Sequence, residues 1–540
     1  MKRLARSTFE GLKLFLLYNA TFYTLNPAQP TVQALAIADG KIVAAGTIEE
    51  VEAALPRNAR RIDLSGLTVL PGLTDSHIHL QHYALGLQYV DCETSTRAEC
   101  LERVQHKTRH TPAQTWIRGH GWNQNVWPEG FGNASLLDEV APYHPVYLTA
   151  KSLHASWANS LALQAAGIDE HTPDPPDGRI QRDQNGKPTG ILFESAMQLV
   201  EKVIPKATLP DVRQAIEAAQ PHLWSMGLTG VHDFDQRLCF MALQELEQAG
   251  SLKLRVVKSI PLENLDEAVE VGLRSGFGSP RLRIGSVKCF ADGALGPQTA
   301  AMLQPYEGSP SDTGLLFLDA EEIVEIGQRA AASGLSLAIH AIGDRANHEV
   351  LKAYAQLRQV EEQEKRPHLR HRIEHVQVLH PDHLPLLARH GIIASMQPIH
   401  ATSDMDIADR YWGKRARYAY AFQSLAALGT RLTFGSDAPV ESPNPFWGIH
   451  AAVTRQRHSG YPSPEGWYPQ ERLSLEQAIQ AYTVNPAYTA GRENELGKLQ
   501  PGYFADLIVL EEDPFFTPAE RLFELQPLKT MVAGEWVWEK

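Results

Sequence analysis

Short runs rich in β-forming apolar residues, separated by turn residues, occupy the first seventy positions. Leu14 to Tyr23 reads as a strand behind a loosely held tail. Val32 to Ala38 and Lys41 to Ala45 form a hairpin around Asp39-Gly40, a pair that readily takes the positive φ of a tight turn. Glu49 to Ala54 fits one or two helical turns, and Arg61 to Leu64 and Thr68 to Leu70 are further short strands. The far end of the chain has the same texture. Gly497 to Gly502 leads into an apolar run through Leu510, and Met531 to Val537 reads as a final hairpin. The two β-rich ends, residues 1–70 and 491–540, are therefore expected to form one small sheet domain together.

Between them, strand-like and helix-like segments alternate, the pattern of an α/β fold with a parallel sheet. Gly230 to His232, Leu254 to Lys258, Ile284 to Phe290, Ser336 to His340, Arg372 to Val376, Ile392 to Met396 and Arg431 to Gly435 are the expected strands. Ala320 to Ser333 and Arg345 to Leu357 are expected helices. A (β/α)₈ barrel typically needs about 250 residues. The stretch 71–490 is far longer, which predicts an insertion after the first barrel strand, at about 91–195. That insertion carries a hairpin-like Arg179 to Lys187 with an Asn-Gly turn.

The 540 residues are 43% hydrophobic and 21% charged, ordinary for a globular protein, and the formal net charge of −13 argues against a nucleic-acid or anionic-membrane partner. No uninterrupted apolar run approaches a membrane span. Lys13 interrupts the apolar start, and no Ala-x-Ala cleavage site follows it. The four cysteines form no CxxC pair, so reduced thiols in a cytoplasmic protein are the expectation.

The candidate chemistry sits where the expected strands end. Val69 to Leu73 leads into Thr74-Asp75-Ser76-His77-Ile78-His79, and alternation in an extended chain lets His77 and His79 face one metal ion. Lys288 lies within an apolar strand, and its bland alternative is a buried lysine paired with Asp292 or one snorkelling to water. His340 and His375 each end an apolar strand, and Asp437 follows Leu432 to Ser436. Singly, each has a dull explanation, such as a helix cap. Together, four histidines, a lysine and an aspartate at strand ends make a borderline-metal site of the kind barrel active sites assemble.

In this order, with their flanks Leu70-Pro71-Gly72-Leu73-Thr74-Asp75-Ser76-His77, His340 to Ala346, Gly435-Ser436-Asp437-Ala438-Pro439 and Gly502 to Leu507, these residues resemble the amidohydrolase superfamily. The likeness is greatest to the branch that contains N-substituted formamide deformylases. Gly119-His120-Gly121-Trp122, His154 with Asn159-Ser160, and Gly178-Arg179-Ile180 fit that branch's inserted region.

The resemblance implies a distorted TIM barrel and a small β-sandwich built from both termini. It implies that His77 and His79 hold the more buried metal and His340 and His375 a second. Lys288 bridges the two ions if CO₂ converts it to a carbamate, since an ammonium has no lone pair to offer. Zinc is the expected metal, one ion or two, two if Lys288 is carboxylated. The expected reaction is hydrolysis of a non-peptide C–N bond in a small N-formyl or N-acyl amine by metal-activated hydroxide. Asp437 binds metal and handles protons, and His154 is the expected oxyanion donor. Trp122, His400 and Asp404 are expected around the substrate, and a homodimer is an expectation by analogy. His232 and Asp233, which no implied ligand matches, read as structural, and Cys289 as packing. A deaminase of a nucleobase-like heterocycle is the alternative on the same scaffold, and a non-catalytic scaffold protein the third reading.

Overall fold

The computed structural model describes residues 14–56, 59–151 and 154–540, and the tail expected before Leu14 lies outside them. The chain divides into two compact units, one of residues up to Tyr83 with Ile216–Lys540, the other of Ala84–Ala215.

Eight parallel strands form the centre of the first unit: β1 (Leu73–Ile78), β2 (Leu228–Asp233), β3 (Arg255–Pro261), β4 (Leu282–Phe290), β5 (Leu337–Ala341), β6 (Arg372–His375), β7 (Ile393–Met396) and β8 (Leu432–Phe434). Each pairs in parallel with the next, from β1 to β8. A bridge between Ile78 and Ala438 brings the first and last strands together, so the sheet is a nearly closed barrel. Both of its faces are covered, which is why β5, Leu-Ala-Ile-His-Ala, reads as an unbroken apolar run up to its histidine. The helices begin on recognisable signals. Asp319 caps Ala320–Ala332 reciprocally with Glu322, and Asp344–Gln363 starts where β5 has ended.

Seven strands from the two ends of the chain form one sheet in this same unit. Asp39 and Gly40 both have positive φ, as the hairpin turn requires, and so do Ala533 and Gly534 in the last hairpin. The two short strands expected before Pro71 are one strand, Arg60–Pro71. Ser65 and Gly66, read from the sequence as a break, lie at a register shift with positive φ, so the pairing with Leu14–Tyr23 resumes beyond them. The Arg255 guanidinium pairs with Asp506 (Nη2–Oδ1 2.8 Å), which ties the barrel to this sheet with both side chains buried.

The second unit carries its own six-stranded sheet and two apolar clusters. The Asn-Gly hairpin expected there is present as Gly178–Arg182 paired with Pro188–Glu194. All four cysteines are buried free thiols. Among the described residues no helix is long and apolar enough to cross a membrane.

Candidate metal centre

The ends of β1 and β8 bring three of the expected residues to one point. The Nε2 atoms of His77 and His79 each lie 3.4 Å from Asp437 Oδ1. Backbone bonds set this approach: Asp437 N donates to His77 O (2.7 Å) and His79 N to Ala438 O (2.9 Å). Gly435 permits it, because a Cβ there would collide with His77 N and the Asp75 carboxylate. Asp75 in turn accepts from His77 N (2.9 Å), Ser436 N (3.1 Å) and Ser436 Oγ. Asp437 (φ 59°) and His375 (φ 75°) both take the left-handed backbone region, uncommon for side-chain-bearing residues, and both turn at the site.

The other nitrogen of each imidazole is committed. His77 Nδ1 lies 2.6 Å from Glu374 Oε2, and His79 Nδ1 lies 3.1 Å from Asp235 Oδ1. His375 Nδ1 faces Gln397 Oε1 (2.9 Å), and His340 Nε2 donates to Gly293 O (2.9 Å). A neutral imidazole that donates from one nitrogen offers a lone pair at the other. These partners therefore leave the Nε2 of His77, His79 and His375 and the Nδ1 of His340 as acceptors. The rings are neighbours, with centroids 4.9 Å apart for His77–His375 and 4.5 Å for His340–His375.

Acceptors that face a carboxylate call for a cation or a proton between them. The ligand atoms of His77, His375 and Asp437 lie within 4.8 Å of one another. Burial works against a charged His79, but the carboxylates of Asp235 and Asp437 outweigh it and push its pKa up to about 10. Burial and the Lys288 charge instead bring His77 down to about 4. One imidazole of the pair is thus held neutral, while the other is drawn to positive charge from both sides. Imidazole nitrogens and a carboxylate in this arrangement fit a borderline divalent metal.

Lys288 closes the same region. Its Nζ lies 4.8 Å from the Phe234 ring centre and 4.7 Å from that of Phe290. The His77 ring stacks on Phe234 at 4.2 Å, and the His340 ring lies 5.2 Å from Phe290. Burial lowers the Lys288 pKa to about 8, although Glu374 and Asp437 oppose the shift. Asp292 is not its partner: that carboxylate accepts from Ala301 N, Ile342 N and Gly343 N (2.8–3.0 Å). Cys289 is buried, and burial pushes its thiol up to about 12, in keeping with packing.

The remaining expected residues fall in different settings. His400 is buried beside His375, their rings nearly parallel with centroids 6.2 Å apart. Asp404, one helical turn later, accepts from the Tyr420 hydroxyl (2.6 Å). Trp122 and His154 belong to the second unit. Trp122 is 1% exposed within an apolar cluster, its Nε1 donating to Leu148 O. His154 is exposed, with Nδ1 3.1 Å from a Glu194 carboxylate oxygen.

Sequence reading missed the groups that hold the candidate ligands, namely Glu374, Asp235 and Gln397. Glu374 adjoins His375, and Asp235 lies two residues past Asp233. His232 and Asp233 are engaged elsewhere, His232 with Arg372 and Asp233 with the buried Lys258 and Leu80 N. Asp235 also receives His82 Nδ1 (2.7 Å), so it joins two histidines of the segment that follows β1.

The model of the amidohydrolase family matches residues 60–538. The chain is 33% identical to the Bacillus subtilis protein YtcJ over 528 residues, 96% of this chain and 98% of YtcJ. It is 30% identical over 542 residues to the N-substituted formamide deformylase of Arthrobacter pascens, covering 97% and 98% of the two chains. A crystal structure of an uncharacterized metal-dependent hydrolase from Pyrococcus furiosus superposes with a TM-score of 0.77 at 32% identity, over 93% of this chain and 99% of that one.

Proposed function

The chain belongs to the amidohydrolase family, and from that premise we infer that it hydrolyses a non-peptide C–N bond in a small N-substituted formamide or related N-acyl amine. The observation that carries this reading is the convergence of His77 Nε2 and His79 Nε2 on Asp437 Oδ1. The substrate class follows the name of the deformylase that the chain resembles along nearly its whole length.

His77, His79, His375, His340 and Asp437 are the residues that would hold the metal, with zinc the first choice for such a donor set. A bound zinc supplies Lewis acidity and brings the pKa of water to about 7. The residues of the chain do the rest. Asp437 takes a proton from the attacking water and returns it to the leaving nitrogen, as base and then acid. Glu374 and Asp235 keep the two β1 imidazoles in the tautomer that presents Nε2. Lys288 has no carboxylate paired with its Nζ among the described residues, an unusual state for a buried ammonium. A carbamate on Lys288 would supply the charge and lone pairs for a second metal ion. A small-molecule substrate in the cytoplasm and a homodimer complete the reading.

The test is amine release from a panel of N-alkyl and N-aryl formamides and acetamides by metal-supplemented protein. Turnover that a chelator abolishes and zinc restores supports the reading. Ammonia release from heterocyclic amines, with no amide turned over, would replace it by the deaminase.

A further inference from the structure

His400 lies in the first turn of the helix Pro398–Trp412, which follows β7. It is 7% exposed, and neither of its ring nitrogens has a hydrogen-bond partner among the described residues. Buried polar groups are nearly always satisfied, and an imidazole brings one donor or acceptor at each nitrogen. Two orphaned nitrogens in one buried ring mark a group whose partner arrives with something else.

The surroundings narrow what that partner is. Asp404, the acidic residue one turn along, is already engaged by Tyr420. The His400 ring runs parallel to that of the candidate ligand His375, at 11°, and it is in electrostatic contact with Asp437. Among the described residues, the group in which His77, His375 and Asp437 bring ligand atoms within 4.8 Å leaves out His400, as it does His79 and His340. His400 thus borders the candidate ligands, with both ring nitrogens left without a partner among the described residues.

We propose that His400 donates a ring N–H to the oxygen of the carbonyl under attack and to the oxyanion that this oxygen becomes. This rests on the reading of the chain as an amide hydrolase. A rigid N–H in a water-excluded site, aimed where negative charge develops, stabilises the transition state more than the ground state. It gives His400 the part that the sequence suggested for His154, an exposed residue of the second unit.

The experiment compares wild type with His400→Ala, His400→Gln and His400→Phe. It measures metal content, thermal melting, kcat and KM on the formamide panel, and calorimetric binding of acetohydroxamate, an unreactive amide analogue. The expected result for His400→Ala is unchanged metal content, a kcat lower by about 100-fold with little change in KM, and weaker hydroxamate binding. Gln, which keeps an N–H donor, restores part of the loss, and Phe, which keeps only the packing, does not. Rescue by Phe but not Gln, loss of metal from His400→Ala, or unaltered binding and turnover in that variant would each overturn the proposal. No amide turnover, with hydroxamate binding still weakened by His400→Ala, would sink the reaction while upholding His400 as an oxygen subsite.

Discussion

Glu374 Oε2 lies 2.6 Å from His77 Nδ1, and both side chains are shut off from solvent. The two residues come from β6 and β1, and the contact decides which nitrogen of His77 faces Asp437. Arg372 pairs with the same carboxylate, and also donates to Ser76 O (2.7 Å) and Ser395 Oγ (2.6 Å). The candidate metal centre is therefore braced by a buried charged network.

Glu374→Gln keeps the shape and removes the charge. Partners of this type are worth 10–100-fold in metal affinity. Competition with a chromophoric chelator should show zinc affinity falling within that range, with some loss of melting temperature because Arg372 keeps an acceptor but loses its charged partner. Glu374→Ala should be worse, because it strips the buried Arg372 guanidinium of both the charge and the acceptor and leaves a void, a loss of about 3–5 kcal/mol. Denaturant unfolding of the metal-depleted protein separates the two effects.

Lys288→Ala reads out the second ion. If the lysine is carbamylated and bridges two metals, the variant should hold one equivalent where wild type holds two, and bicarbonate should have no effect on it. One equivalent in both proteins would make the centre mononuclear with Lys288 a buried cation beside it, and two in both would mean that the second ion does not depend on Lys288.

Much of this arrangement was visible in the chain itself. His77, His79, His340, His375 and Asp437 stand at or just past the ends of apolar runs and Lys288 lies within one, and those runs are the barrel strands. Strand alternation, however, is a local rule. In β6 it places Arg372 and Glu374 on one face and would send His375 to the other. The left-handed φ of His375 breaks the alternation and returns its ring to the centre. Asp437 is turned in the same way. Nor does any spacing reveal that Asp235 holds His79, since the two lie 156 positions apart and meet only because β1 and β2 are neighbours. Trp122 shows the opposite weakness. An aromatic-rich stretch reads alike whether it lines a pocket or fills a core, and here Trp122 is buried in a cluster.

Glu361 supplies a pH dependence that is independent of the metal. Its carboxylate accepts from Arg358 Nη1 (2.6 Å) and Leu369 N (3.1 Å) and faces His371. Burial alone would raise its pKa, but His371 and Arg358 outweigh that and bring it down to about 2. The unfolded value is about 4.3. A folded pKa below the unfolded one means that this carboxylate stabilises the fold above about pH 4 and loses its contribution as the pH falls toward 2. The stability gap between wild type and Glu361→Gln, followed by denaturant unfolding, should therefore be widest near neutrality and shrink between about pH 5 and 2. A gap that does not change with pH would assign Glu361 a packing role alone.

The most direct test of the central claim is elemental analysis of wild type and Asp437→Asn, each supplemented with zinc and desalted under the same conditions. A metal centre built on Asp437 predicts at least one tightly held equivalent in wild type, a clear loss in the variant, and retained folding in both. Wild type that holds no metal, or a variant that holds as much as wild type, would contradict it.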